Sequence, residues 1–271
     1  MSQMFEEILL VCDDQYTCEY TLKQGCDLIS KLNVPATVLF IQTDGKGGVN
    51  LSEAKAYIDN YATTKRLSIT IEQQAGDMND VVLKACAAKQ YSLIIMNIRT
   101  GSSGILGTRG KMLLLLQEVN CPVLNLPSTS EPLNFKHIML PLLDHRTTRQ
   151  TVPFCTEIAK LFGSTIHIYG VTAYKGDETT KRIKSYVRQT ERFFAQKGLK
   201  YTSSIDIGVK VKKSCIAYSN VNAISVMFFS THSEDPGFLK PAYLEQILGD
   251  TEVPVISVNP KDTRIAGAAG Y

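Results

Sequence analysis

The chain has 271 residues, with 29 basic side chains against 26 acidic ones, a net charge of +3 and 44% hydrophobic residues. No Lys/Arg block with interleaved aromatics occurs, which argues against a nucleic-acid surface. The longest apolar runs are strand-sized, well short of the roughly 20 residues that a membrane span needs.

Taken in chain order, Ile8–Cys12 is a short apolar run, the pattern of a strand buried on both faces. The acidic residues ahead of it, Met1–Glu7, lead straight into that strand, unlike a signal peptide. Cys18, Leu22, Cys26, Ile29 and Leu32 then recur at helical steps along one apolar face. Thr37–Ile41 reads as a second strand, Leu51–Thr64 as a helix, and Leu67–Ile71 as a third, alternating strand. Val81–Lys89 is helical and Leu93–Met96 is a fourth buried strand. A glycine-rich loop over 100–110 leads into a helix near Met112–Val119, and Val123–Leu126 is a fifth strand. The four consecutive leucines Leu113–Leu116 cannot all lie on one stripe. That helix therefore needs cover on more than one side, from a second domain or a second subunit.

The same order then begins again. Ile138–Leu143 is a strand, and Val152, Cys155, Ile158 and Phe162 mark a helix face. Thr165–Tyr169, Tyr201–Ile207, Ile224–Phe229 and Val255–Val258 are the remaining strands. Lys181–Gln196, Val211–Tyr218 and Tyr243–Leu248 are the remaining helices. The repetition is literal in places: Ile8–Asp14 is echoed by Ile138–Asp144, and Cys121–Pro127 by Val253–Pro260. A nearly constant offset across a whole half means two copies of one domain. The expected division is a first domain over 1–127, a linker over 128–134, a second domain over 135–260 and a tail over 261–271. Pro127 and Pro132 bar a continuous helix through the linker.

Strands alternating with helices predict an α/β fold of two doubly wound, five-stranded parallel sheets, Rossmann-like and of strand order 3-2-1-4-5. Seven cysteines, an odd number with no Cys-x-x-Cys pair, read as reduced core residues of a cytoplasmic protein. The four histidines are scattered, with no metal-ligand spacing on a helix face. Asp144-His145 lacks an accompanying nucleophile motif.

In such a sheet a ligand sits beyond the carboxyl ends of the strands where their order reverses, here between strands one and four. In the first half this crevice is flanked by Asp13 and Asp14 after strand one, and by 96–104 after strand four. Gly101 and Gly104 allow close backbone approach to a phosphate. Ser102, Ser103 and Thr108 add hydroxyls, and Arg99, Arg109 and Lys111 add positive charge. The matching loop of the second half contains Glu234, Asp235 and Pro236 with the single glycine Gly237, a poor cradle for an anion. One functional copy beside one structural copy is the expectation.

These residues carry a resemblance. Asp13 at the end of strand one, Ser92-Leu93-Ile94-Ile95-Met96, Gly101-Ser102-Ser103-Gly104 and Cys121-Pro122-Val123-Leu124 together resemble a tandem universal stress protein, over nearly everything from Phe5 to Asn259. Nucleotide-binding members of that family carry a further glycine nine residues on, where this chain has Leu114. Gly107-Thr108 or Gly110-Lys111 would serve in a shortened loop, and Asn97 replaces the usual glycine after Met96.

The resemblance implies ATP, with Mg²⁺, as ligand. Asp13 or Asp14 would face the ribose or a metal-bound phosphate, and the backbone near Ile41 and Gln42 would meet the adenine. Gly101, Ser102, Ser103 and Gly104 would cradle phosphates, with Thr108 and Gly110 alongside. It also implies that the two halves form an intrachain pseudo-twofold pair, with a further homodimer open. A nucleotide-free dimerisation or interaction module of the same fold is the alternative. A nucleotide hydrolase is least favoured, because no general base or nucleophile stands out.

Overall fold

The computed structural model describes residues 4–12, 15–42, 50–97, 115–127, 132–231, 244, 247–248 and 250–259. It divides the chain into two units, Met1–Leu133 and Asn134–Tyr271.

In the first unit the described elements are β1 (Ile8–Cys12), α1 (Gln15–Leu32), β2 (Ala36–Gln42), α2 (Leu51–Lys65), β3 (Ile69–Ala75), α3 (Met78–Ala88), β4 (Leu93–Asn97) and β5 (Val123–Leu126). The strands are parallel and ordered β3-β2-β1-β4-β5. The second unit carries β6 (His137–Leu142), a 3-10 turn (Arg146–Gln150), α4 (Thr151–Phe162), β7 (Thr165–Thr172), α5 (Asp177–Gln196), β8 (Lys200–Ile207), α6 (Val211–Val221), β9 (Val226–Ser230) and β10 (Val255–Val258). Its parallel order is β8-β7-β6-β9-β10. Each unit thus has strand order 3-2-1-4-5, with α/β crossovers.

Burial explains which segments pair where. Every residue of the inner strands β1, β4 and β9 is buried, whereas the edge strands β3 and β8 alternate between half-buried and exposed. A strand covered by helices on both faces must be apolar throughout, and an edge strand need not be.

Several element boundaries differ from the sequence expectation by a few residues, and two of them have a clear local reason. Strand three begins at Ile69 rather than Leu67 because the chain is still closing the preceding helix there. Arg66 adopts a left-handed conformation (φ 55°), and the Leu67 N–H returns to the Ala62 carbonyl at 2.9 Å. The strand then runs on through Glu72, Gln73 and Gln74, polar residues that an edge position tolerates. Helix α5 begins at Asp177, four residues before the expected Lys181. Its first turn holds Asp177 and Glu178, favourable beside the positive end of a helix, while the apolar stripe of Ile183, Val187 and Phe194 starts later.

The duplication extends to a hydrogen-bonded clamp. Ser92, immediately before β4, donates its hydroxyl to the Glu7 carbonyl at 2.6 Å and accepts the Glu6 and Glu7 N–H groups at 3.2 Å. Ser225, immediately before β9, does the same with His137, its Oγ lying 2.9 Å from both the carbonyl oxygen and the nitrogen. In each copy one serine ties the start of strand four to the start of strand one, so the two central strands begin in fixed register.

Candidate functional site

That register sets the geometry of the opposite, carboxyl edge. The β1–β4 pairs run from Ile8↔Leu93 to Leu10↔Ile95, although β1 continues to Cys12 and β4 to Asn97. On the other side β1 stays paired with β2 as far as Cys12↔Phe40. The strand order reverses at the β1/β4 boundary, the place at which the crevice is expected.

Four of the expected site residues lie within the described chain. Met96 and Ile41 are core side chains, 1% and 2% exposed, so only their backbones can meet a ligand. Asn97 ends β4 and is buried. Gln42 ends β2 with an exposed side chain. Its carbonyl already accepts the Gly76 N–H at 3.1 Å, and its Oε1 accepts from Gln73 at 3.4 Å. An adenine at this point would therefore meet a carbonyl with one lone pair already engaged. Asp13, Asp14, Arg99, Gly101, Ser102, Ser103, Gly104, Thr108, Gly110 and Lys111 lie outside the described residues, as does the second-half loop from His232 to Phe238. Of the four leucines, Leu115 and Leu116 are described. Both are buried, and two adjacent positions about 100° apart fit a single apolar face; Leu113 and Leu114, on which the expectation of wider cover depends, lie outside the described residues.

In the second unit an ion pair and a side-chain cap lie just beyond strand one. Asp144, at the position matching Asp14, is only 3% exposed, and the Arg182 guanidinium of α5 grips it through two nitrogens, with Nη2 3.3 Å from Oδ2. The paired carboxylate holds the Arg182 guanidinium above its already high ordinary pKa, first through the hydrogen bond and then through charge. Beside it, His145 Nδ1 caps the 3-10 turn by accepting the Thr147 N–H. Acid–base chemistry is therefore not offered by Asp144-His145: one is neutralised by an arginine and the other is a cap. Nothing in the local pattern signals this contact, since Arg182 and Asp144 are 38 residues apart.

A second contact missed in the sequence joins two of the histidines. His137 Nδ1 lies 3.1 Å from His167 Nε2, and His167 Nδ1 lies 3.2 Å from the Thr202 hydroxyl. Strand register could have revealed it: Met139 pairs with His167, placing His137 two residues away on the neighbouring strand and on the same face. Burial and the adjacent His137 both push the His167 pKa below its usual 6.5. Among the described residues no group of three or more His, Cys, Asp or Glu side chains could hold a metal ion. Nor is any described helix long and apolar enough to cross a membrane.

With this geometry in hand, comparison with solved structures is informative. A provisionally assigned universal stress protein from Pseudomonas aeruginosa UCBPP-PA14 superposes with a TM-score of 0.71, at 19% identity, over 99% of both chains. A universal stress protein from Archaeoglobus fulgidus DSM 4304 gives 0.68 at 18% identity, over 93% of this chain and 96% of that one. The chain has the fold of a tandem universal stress protein. A protein of unknown function from P. aeruginosa PAO1 gives 0.70 at 18% identity, over 98% and 96%. The cytoplasmic domain of a prokaryotic cation chloride cotransporter gives 0.58 at 10% identity, over 97% and 99%. One architecture thus serves very different proteins, and function must be argued from the site. No family model and no curated protein matches the sequence.

Proposed function

We propose that the chain is a cytoplasmic stress-response binding protein of the universal stress type, with one adenine-nucleotide site in its amino-terminal copy and a structural carboxy-terminal copy. The observation that carries this reading is the difference in sequence between the two strand-four loops, beside the ion pair just beyond strand one of the second copy. In the second copy, Arg182 occupies the strand-one carboxylate. In the first copy, by contrast, the sequence that follows β4 is rich in glycine, hydroxyl groups and cations. Under this reading Gly101, Ser102, Ser103 and Gly104 hold the phosphates of ATP, with Arg99, Thr108, Gly110 and Lys111 beside them. Asp13 or Asp14 meets the ribose or a Mg²⁺-bound phosphate, and adenine lies against the backbone at the end of β2. No residue is assigned a catalytic role.

A ligand that binds only the folded state raises stability by about 2.7 kcal/mol at 100 times its dissociation constant. ATP with Mg²⁺ should therefore raise the melting temperature by several degrees, and Gly101→Leu with Gly104→Leu should remove that shift without lowering the ligand-free value. A melting curve unchanged by millimolar ATP in the unmodified protein refutes the reading and favours the interaction module.

A further inference from the structure

At the other end of the first unit's sheet, where β4 and β5 begin, lies a cleft of about 430 Å³. Leu83, Cys86, Lys89, Tyr91, Glu118 and Cys121 are among its lining residues. Cys86 stands near the end of α3 and Cys121 two residues before β5, so 35 residues of chain separate two side chains that share one wall. Cys86 is half-buried and open to the cleft; Cys121 is buried behind it, 4% exposed. The two thiols lie close enough for the Cys121 side chain to act on the Cys86 thiol through a hydrogen bond.

Cys86 differs in its chemistry from the two buried cysteines of the second unit. Burial pushes the Cys215 thiol up to about 12 and Cys155 higher still, which leaves both inert. Cys86 moves the other way, held below its usual value by the hydrogen bond from Cys121. The negative end of α3 works against a thiolate here, so the Cys121 S–H is the group that stabilises it. Lys89, on the same wall, is tied to Glu7 and has its charge partly answered. Glu118 adds a negative charge, so the cleft favours a small neutral reagent over an anionic thiol.

We propose that Cys86 and Cys121 are a reversible dithiol–disulfide couple, with Cys86 as the thiol attacked through the cleft and a hydroperoxide as its oxidant. The Cys86 thiolate attacks one peroxide oxygen; an S–O bond forms as the O–O bond breaks, and the departing oxygen takes up a proton. Cys86 becomes a sulfenic acid, oxidised by two electrons, and the peroxide is reduced by two. The Cys121 sulfur then attacks the Cys86 sulfur. An S–S bond forms, the S–O bond breaks, and the hydroxide leaves with the Cys121 proton as water. With hydrogen peroxide, two thiols and one peroxide give one disulfide and two waters. In a reducing compartment such a bond is transient and suits sensing rather than scaffolding.

The second copy is an internal control. Cys86 is the ninth residue of its eleven-residue helix, and the ninth residue of the matching α6 is Ser219, whose hydroxyl donates to the Ile216 carbonyl at 2.8 Å. Two residues before β10 stands Val253. The couple belongs to the amino-terminal copy alone, at the opposite sheet edge from the proposed nucleotide crevice, and does not rest on that proposal.

The test treats the reduced full chain with hydrogen peroxide, alkylates the remaining thiols and maps the peptides by mass spectrometry. Free thiols should fall from seven to five, with a mass loss of two hydrogen atoms, a single Cys86–Cys121 linked peptide and full reversal by dithiothreitol. In Cys121→Ser, Cys86 should instead gain two oxygen atoms as the irreversible sulfinic acid. Three results in the unmodified protein would overturn the proposal: an untouched Cys86, oxygen added at Cys86 without linkage, or a disulfide to another cysteine or another chain.

Discussion

The Arg182 guanidinium of α5 closes over the Asp144 carboxylate just beyond strand one of the second copy. Asp144 is almost fully buried and Arg182 is half exposed, so the two ends of the pair are not equivalent. Removing the arginine strands a buried charge; removing the aspartate frees a cation that can turn to water. Arg182→Ala should therefore cost about 1–3 kcal/mol and Asp144→Asn clearly less, as read from urea midpoints. Equal losses would mean that the buried carboxylate is not the costly partner.

The serine clamps give a second prediction. Ser92→Ala leaves the Glu7 carbonyl with one donor fewer and two backbone N–H groups without the hydroxyl oxygen. Ser225→Ala does the same to His137. Each change should lower stability by about 1–3 kcal/mol. Because the sites sit in separate units, the double variant should lose the sum, to within about 0.5 kcal/mol. A double variant no worse than either single one would show that the clamps are not independent.

Gly25 sits inside α1, where replacing glycine by alanine ordinarily stabilises a helix by about 0.5–1 kcal/mol. Here a Cβ would lie 2.5 Å and 2.7 Å from the two Leu10 methyl groups, and Leu10 is wholly buried in β1. Overpacking of about 1–3 kcal/mol should exceed the helical gain. Gly25→Ala is therefore expected to lower the melting temperature, and a rise would show that Leu10 can move aside.

For His167 the sign follows from its depressed pKa. In the unfolded chain the imidazole takes up a proton near its ordinary value of 6.5, whereas in the folded chain it resists until the pH is lower. Stability is thus fully present above that ordinary value and is lost as the pH falls through the window below it. Lowering the pH from about 7.5 to about 5.5 should reduce the urea midpoint, and less so in His167→Gln. Parallel pH profiles for the two proteins would place the sensitivity elsewhere.

Much of this molecule was legible because burial on both faces demands continuous apolar runs. Ile8–Cys12, Leu93–Met96 and Val255–Val258 announce themselves in that way. The edge strand β3 was legible only from the alternation over Leu67–Ile71; its continuation to Ala75 was not, since Glu72 and Gln73 satisfy an edge without leaving an apolar mark. At the site, the switch point follows from strand order, yet what fills it does not. Arg182 reaching Asp144, His137 meeting His167, and Cys86 meeting Cys121 join residues 38, 30 and 35 positions apart, and no periodicity within one element encodes such a meeting.

The duplication and the parallel order of each sheet were determined by the sequence alone, because hydrophobic periodicity acts locally and repeats wherever the residues repeat. Tertiary structure decided which distant side chains meet: in the second copy a strand-one carboxylate is neutralised by an arginine, and in the first a pair of thiols is brought within hydrogen-bonding reach. Both depend on side chains converging from separate elements, and only packing fixes that distance.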